Sequence, residues 1–472
     1  MLNDVNVNVT DGLLKLSELK GDGVHVKIGA SPVTSGTPIL ITGDMTPANI
    51  RALLGYCPLA DKVIDSVENG ANVIYCIPVA ATTAGTAGTV TSVKTGTGTL
   101  TVSGSPNNAF SVIIKVTGTG QRNTATFKYS IDGGYSYSGD KTVPVNGAYA
   151  IPYTGLTATF AEGSAPNEAT SFVAADTFSF TTTAPAMTNG DATAAIAKLK
   201  YFNTEFEFVH IVGESEKAFW VAVSAARDEL ATDFHKPLLF VVEAFAPTTN
   251  ETASAYAARL IAAKDVFDYD LQVVAARALY TGLDGITRNT NLAGVVCGMY
   301  ARTPVQQSIG KTRDSANMDI SNAKILDLLP DGIEEFVEDI DGANFLTFRQ
   351  YFGLPNVYYV TNARVMAPAD TDYLYAEDTR VKNKIAREVR KEGLQLLQDD
   401  INLDDLANEL AKRVIFMREP LDQMIKAKEI SSASITAANT QDIATTGKLS
   451  VIVRYKSRGY IRDIEVDLGR SK

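Results

Sequence analysis

Phe206-Glu-Phe-Val-His-Ile-Val212, Pro237-Leu-Leu-Phe-Val-Val242 and Leu271-Gln-Val-Val-Ala275 are three short apolar runs within seventy residues of chain. Runs of this length, bounded by polar and turn-forming residues, read as strands buried on both faces. The segments between them have helical spacing. Ser215 to Leu230 places Phe219, Val223, Ala226 and Leu230 on one stripe, with Ser215 in position to cap, and Asn250 to Phe267 does the same with Tyr256, Leu260 and Ala263. A third helix is predicted over Asn289 to Arg302. Strands that alternate with helices imply a parallel sheet covered on both faces, so the fold class of this region is α/β.

Toward the N-terminus, Thr37-Pro-Ile-Leu-Ile-Thr-Gly43 reads as a strand, Thr46-Pro47 as a helix start, Leu59 to Glu68 as a helix and Asn72 to Val79 as a buried strand. Together they predict a βαβ-like unit. Between about Thr82 and Ala186 the chain turns rich in Thr, Gly and Ser. Alternating patches such as Phe110–Val116, Thr124–Tyr129 and Asp176–Thr181 are separated by turns such as Asp132-Gly-Gly134. This pattern predicts an all-β sandwich set into a surface loop. Toward the C-terminus, helices are predicted over Val381 to Leu397, over Leu403 to Met417 with Pro420 ending it, and over Leu421 to Lys428. A polar link, Ser431 to Thr446, precedes a final hairpin turning near Gly459. In that hairpin Ile464, Val466 and Leu468 alternate with Asp463, Glu465 and Asp467, and near the N-terminus Val5, Val7 and Val9 alternate with polar residues. An isolated two-stranded hairpin is barely stable, so both ends of the chain are expected to need a sheet from elsewhere.

The 472 residues suffice for about three domains, and a hydrophobic content of 45% allows an ordinary core. A net charge of −11 argues against general nucleic-acid binding. The three cysteines, Cys57, Cys76 and Cys297, lie far apart without metal or disulfide spacing and read as buried small hydrophobes in a reducing cytoplasm. No signal peptide or membrane span is expected.

An enzyme would need chemistry at the strand ends, and the turns there, Gly213-Glu-Ser215, Glu243-Ala-Phe-Ala-Pro247 and Ala276-Arg-Ala278, hold no phosphate-binding glycine cluster. Three histidines, His25, His210 and His235, are too scattered for a catalytic or metal constellation. Glu334, Glu335, Glu338, Asp339 and Asp341 lack the glycine-centred spacing of a calcium loop. No catalytic, metal or cofactor site is therefore expected, and no cofactor. Lys382, Lys384, Arg387, Arg390 and Lys391 read as a basic helix face, either solvated or facing a partner protein. An α/β ligand-binding protein or enzyme with a β-sandwich appendage is the alternative reading.

Four segments resemble the sheath protein of contractile phage tails and contractile injection systems. They are Gly36–Gly43 with Cys57–Tyr75, Leu292–Arg302, Asn344–Gly353 with Tyr358–Arg364 and the following helix, and Asp442–Val453 with the last strand. Thr361-Asn-Ala-Arg364 stands where the family has Gly-Ala-Arg-Thr, and Thr371-Asp-Tyr-Leu-Tyr375 replaces its arginine-rich strand. The resemblance implies a multidomain α/β and α+β protein. Its parts are an N-terminal arm (1–20), a discontinuous α/β sheath domain (21–80 plus 188–345), an inserted outer sandwich (81–187), an inner α+β domain contacting the tube (346–459) and a C-terminal arm (460–472). It also implies a non-enzymatic subunit that forms hexameric, helically stacked rings around an inner tube, meets baseplate and tail terminator proteins, and contracts to drive the tube through an envelope. Such a subunit assembles in the bacterial host cytoplasm, in a virion tail or tail-like particle, without nucleic-acid binding or membrane insertion. Strand exchange between subunits would then use Val5, Val7, Val9, Leu449, Val451, Val453, Ile461, Ile464, Val466 and Leu468, and tube or subunit contact Lys382, Lys384, Arg387, Arg390 and Lys391.

Overall fold

The strands His25–Ala30, Leu239–Ala244 and Leu271–Val274 are buried at every residue, so solvent reaches neither face. The computed structural model describes residues 21–368, 370–438 and 440–470. In chain order the first elements are β1 (His25–Ala30), β2 (Ile39–Thr42), α1 (Pro47–Leu54), α2 (Pro58–Glu68) and β3 (Val73–Val79). Eight strands follow: β4 (Thr91–Val93), β5 (Thr99–Gly104), β6 (Ser111–Gly118), β7 (Thr126–Ser130), β8 (Lys141–Thr142), β9 (Ala148–Ile151), β10 (Leu156–Ala161) and β11 (Thr177–Thr181). The alternation then resumes with α3 (Asn189–Ala197), β12 (Phe208–Ser215), α4 (Lys217–Thr232), β13 (Leu239–Ala244), α5 (Ala253–Ala262) and β14 (Leu271–Val274). Next come β15 (Arg277–Thr281), β16 (Thr287–Asn291), α6 (Ala293–Arg302), β17 (Ile320–Ser321), β18 (Ile325–Leu328), α7 (Val337–Gly342), β19 (Phe348–Tyr351) and β20 (Leu354–Val360). The chain closes with α8 (Ala376–Gln395), α9 (Leu406–Lys426), β21 (Ser432–Ala437), α10 (Ile443–Thr446) and β22 (Val451–Lys456).

The main sheet has six strands in the order β14-β13-β12-β1-β3-β2, parallel except at the β2 edge. The βαβ unit expected over 37–79 is thereby corrected. β3 runs parallel to β1, while β2 returns antiparallel along the outside, where Leu40 is 45% exposed and a half-wet strand fits. One sheet face, with Val26, Ile28, Val209, Phe240 and Val242, belongs to the large core that includes Ile196, Trp220 and Tyr256 of α3, α4 and α5. The opposite face turns Lys27, Cys76 and His210, which are in register, toward α2 and α6.

Two expected helix starts move. Ser215 ends β12 instead of capping α4, because its hydroxyl donates to the Glu243 carbonyl and accepts from the Trp220 indole. The helix predicted from Asn289 begins at Ala293. Residues 287–291 pair with β15, and the Asn291 side chain bridges the Val274 carbonyl and the Ala293 amide.

Helices α2 and α6 approach closely because α6 presents Gly294 and Gly298 to α2. A Cβ on Gly298 would lie 2.6 Å from the Ser66 carbonyl oxygen, and the Ser66 hydroxyl donates to the Gly294 carbonyl at 2.5 Å. Beside this contact lies a buried charge cluster of Arg51, Asp61, Asp65, Asp284 and Arg288. Arg288 comes no nearer than 3.8 Å to Asp65. Burial, only partly offset by Arg288 and Lys62, pushes the Asp65 carboxyl up to about 7.

Strands β4–β11 form two antiparallel sheets, β5-β10-β9 and β4-β11-β6-β7-β8. Their inward residues share one core that includes Leu100, Val112, Ile114, Phe127, Phe160 and Phe178. The segment leaves and rejoins the main body side by side. Thr83 and Ala186 exchange backbone hydrogen bonds, and Asp191, in the first turn of α3, accepts from the Thr82 hydroxyl and amide.

Pro420 does not end its helix; α9 runs through it to Lys426. A mid-helix proline costs about 3 kcal/mol. Leu421 and Met424, buried just beyond it, each contribute about 1.5–3 kcal/mol only if the helix continues. The polar link expected over 431–446 also needs correction, since Ser432–Ala437 is strand β21 and pairs antiparallel with β22.

Two tests follow from the α2–α6 contact. Gly298→Ala forces the helices apart and is expected to destabilise by about 1–3 kcal/mol, read as a lower urea midpoint. An unchanged midpoint would show that the close approach is not needed. Asp65 binds its proton more tightly in the folded than in the unfolded chain, where its pKa is about 3.9. Its contribution is therefore full below that value and lost as pH rises toward about 7. Asp65→Asn is expected to flatten the fall in stability between about pH 4 and pH 7, and identical pH profiles for both proteins would refute this.

Candidate assembly interface

The C-terminal part is built on α8 and α9, which pack together through Val381, Ile385, Met417, Leu421 and Met424. On this pair lies a ribbon of two strands, β21 and β22, in register from Ser432↔Lys456 to Ala437↔Val451. Val451, Val453 and Tyr455 face the helices, while Ile452, Arg454 and Lys456 face outward. Leu449 precedes the ribbon. With only one partner each among the described residues, both strands keep one row of backbone N–H and C=O groups open for pairing.

The expected hairpin at Gly459 does not form. β22 takes β21 as its partner, and residues 457–470 run on without joining any described sheet. Ile461, Ile464, Val466 and Leu468 are 84%, 74%, 76% and 97% exposed. A strand-patterned segment thus lies in water beside a ribbon with open edges. Val5, Val7 and Val9 lie outside the described residues.

The basic residues of α8 do not form one outward face. Positions 382 and 384 are about 200° apart on a helix, and their partners are internal. Lys382 donates to both Asp270 oxygens at 2.9 and 2.7 Å and sits 4.1 Å from the Tyr269 ring centre. Lys384 pairs with Asp22 at 2.5 Å and Glu429 at 2.7 Å, and these partners hold its pKa above the usual lysine value against the effect of burial. Arg387 lies near Asp22 and Glu205, and Lys391 pairs with Glu205 and Glu388. Arg390 is exposed. These cations mainly dock α8 onto its own chain.

A stronger link of the same kind has no local sequence signal. Arg380, wholly buried, donates to Glu207 at 2.5 and 3.2 Å and to the carbonyls of Tyr300 and Thr303, while Glu207 also accepts from the Gly23 amide at 2.6 Å. Glu207 looked like one polar residue in an apolar run, and Arg380 like one more charge on a charged helix.

The buried polar row of the main sheet is a closed network. Lys27 reaches His210 Nδ1 at 2.7 Å, and His210 Nε2 meets Glu243 at 3.1 Å, a pattern in which a neutral ring accepts at Nδ1 and donates at Nε2. Burial and the neighbouring Lys27 push His210 down to about 3. Burial alone would raise Glu243, but Lys62 and His210 outweigh it and hold it near 2. Every member is buried, so no substrate-sized opening reaches them. Cys57, Cys76 and Cys297 are buried free thiols, raised by burial to about 12, 12 and 11. Among the described residues no His, Cys, Asp or Glu side chains group to hold a metal ion, and no helix is long and apolar enough to cross a membrane.

Two family models match in tandem, the DUF2586 N-terminal domain over residues 2–364 and the DUF2586 C-terminal domain over 372–472. Comparison with curated proteins gives no match. Among solved structures, the sheath tail protein of Desulfitobacterium hafniense is 14% identical, covering 96% of this chain and 100% of that one, with a TM-score of 0.50. The contracted sheath of an extracellular contractile injection system, PVC, is 11% identical over 100% of this chain and 99% of that one, with a TM-score of 0.54. The contracted helical sheath of the anti-feeding prophage is 10% identical over the same shares, with a TM-score of 0.53. Nearly full mutual coverage at such low identity shows a shared mixed α/β, multidomain fold. The chain belongs to the DUF2586 family and has the fold of contractile sheath proteins.

Proposed function

We propose that this chain is the structural subunit of a contractile tail sheath, without enzymatic activity, and that neighbouring subunits are tied together by exchanged terminal strands. The observation that carries the reading is the open two-stranded ribbon beside a strand-patterned segment, 461–468, that has no sheet. Such a pair is complementary between copies: the ribbon offers backbone groups and the segment offers a strand. The match in fold to sheaths of two contractile injection systems, along their whole length, supports the same reading.

In this proposal the organisation is an arm (1–20), an α/β domain (21–80 plus 188–345), an inserted β-sandwich (81–187), an inner α+β domain facing the tube (346–459) and a second arm (460–472). Val451 and Val453 form the receiving ribbon. Ile461, Ile464, Val466 and Leu468, with Val5, Val7 and Val9, are donated. The exposed Arg390 is the member of the basic set available to a partner. Copies form stacked rings, six to a ring, around an inner tube, ending at baseplate and terminator proteins. Contraction drives the tube through the target envelope, with the arms keeping the subunits joined.

The energetics favour cooperative assembly. A six-residue arm gains about 0.5–1.5 kcal/mol per backbone hydrogen bond and about 1.5–3 kcal/mol for each of three buried aliphatic side chains. Ordering costs about 1–2 kcal/mol per residue. One arm is therefore marginal, and two arms closed into rings gain from effective concentration.

Electron microscopy of the purified protein is expected to show hollow tubes. Deletion of 1–11 or of 460–472 is expected to leave a folded, unassembled subunit. Tubes formed normally by either truncation would overturn strand exchange.

A further inference from the structure

The strand-patterned C-terminal segment is free along most of its length but fixed at its base. Tyr460 donates through its hydroxyl to the Gln306 carbonyl at 2.5 Å. Arg462 donates to Glu377 at 2.7 Å and to the Asn362 side-chain oxygen at 3.3 Å, and its guanidinium lies 3.3 Å from the centre of the Tyr375 ring. Asn362 is held in turn by Asp341, which accepts its side-chain amide at 3.0 Å. Beyond Arg462 the side chains of Ile464, Val466 and Leu468 stand in solvent.

Glu377 gives this arrangement its direction. Its side chain is only 1% exposed, and among the described residues its one ion-pair partner is Arg462. The neighbouring Asp378 is pushed up to about 6 by burial and by Glu377 itself, with Arg462 opposing the rise, so Arg462 is the cation that answers both carboxyls at the start of α8. A buried carboxylate without a cation is strongly disfavoured. Arg462, 85 residues further along the chain, supplies that cation, with Tyr375 as a flat seat for its guanidinium.

We propose that Arg462 is a clamp that fixes the base of the C-terminal arm to its own subunit. Strand exchange is thereby confined to the residues after it, 463–470, which narrows the donated set at this end to Ile464, Val466 and Leu468 and leaves Ile461 at the fixed base. This rests on the strand-exchange reading above. A clamped base shortens the mobile tether and aims the arm, raising its effective concentration at one neighbouring ribbon. Arg462 is thus a positioning residue whose partner is its own α8.

The test uses the full-length, unassembled protein with Glu377→Gln and Arg462→Met, after circular dichroism shows that both variants are folded. Trypsin cleavage after the exposed Arg458, between ribbon and clamp, reads whether the base is held. Both variants are expected to be cut about tenfold faster or more than the unmodified chain. Both are also expected to need a higher protein concentration to form tubes. Glu377→Gln, which removes the buried charge, is expected to leave thermal unfolding of the body unchanged, whereas Arg462→Met, which strands that charge, is expected to lower the unfolding temperature. Cleavage at the unmodified rate in both variants would overturn the clamp. Faster cleavage with an unchanged concentration for assembly would also overturn its positioning role, provided that deletion of 460–472 abolishes tubes. If that deletion leaves tubes intact, strand exchange fails, while faster cleavage still shows that the base is clamped.

Discussion

The buried pair of Arg380 and Glu207 sets the relation between the two halves of the molecule. Its charges are removed from water, so each must be answered inside. Glu207 is answered by the guanidinium and the Gly23 amide, and Arg380 by Glu207 and two carbonyls at the end of α6. Four separate parts of the chain therefore meet at one point: the entry to β1, the residue before β12, the exit of α6 and the first turns of α8. Removing one partner of such a pair typically costs about 3–5 kcal/mol, because the other is left unanswered in the interior. The pair resists small shifts better than an apolar contact, since its hydrogen bonds have a fixed geometry. The ribbon that rides on α8 and α9 inherits that fixed orientation relative to the main sheet.

The buried ions form part of a wider pattern. Lys384 with Asp22 and Glu429, Lys382 with Asp270, and Arg227 with Asp268 and Asp270 join segments far apart in the sequence. Surface ion pairs contribute little to stability, but these are largely shielded and lie along the seam between the sheet and α8. Charge on α8 is thus used mainly for internal registration. The outward surface of the C-terminal part relies instead on open backbone edges and exposed aliphatic side chains.

The main sheet could be read from the sequence because double burial leaves near-continuous apolar runs, as in Leu239–Ala244. The longer strands of 99–181, such as β6, β7 and β11, could also be read, because alternation and glycine turns are local signals, whereas the short β4, β8 and β9 could not. Three features were hidden for different reasons. β2 has an ordinary strand composition, and its direction depends on where β1 lies. β21, Ser-Ala-Ser-Ile-Thr-Ala, has one large apolar side chain and becomes a strand through its pairing with β22. Lys382, Lys384 and Arg387 carry no mark of their partners, which lie at residues 22, 205, 270 and 429. Period-two alternation gives 461–468 a strand pattern, but these residues form no strand among the described sheets, because β22 pairs with β21 instead.

The backbone bridge between Thr83 and Ala186 has a consequence for how the molecule tolerates change. Both ends of the intervening segment are fixed next to each other by the main body, through Thr83, Ala186 and the Thr82–Asp191 contact. Closure entropy then grows only slowly with the number of residues between them, by about 0.6 kcal/mol per doubling. The segment also has its own apolar interior. The junction itself therefore tolerates a change of length between Thr83 and Ala186. What ties the segment's content to the body is a short set of contacts, such as Asn108 donating to Asp61 and Tyr153 stacked on Tyr56, which any domain spliced in there would have to replace or leave unmade.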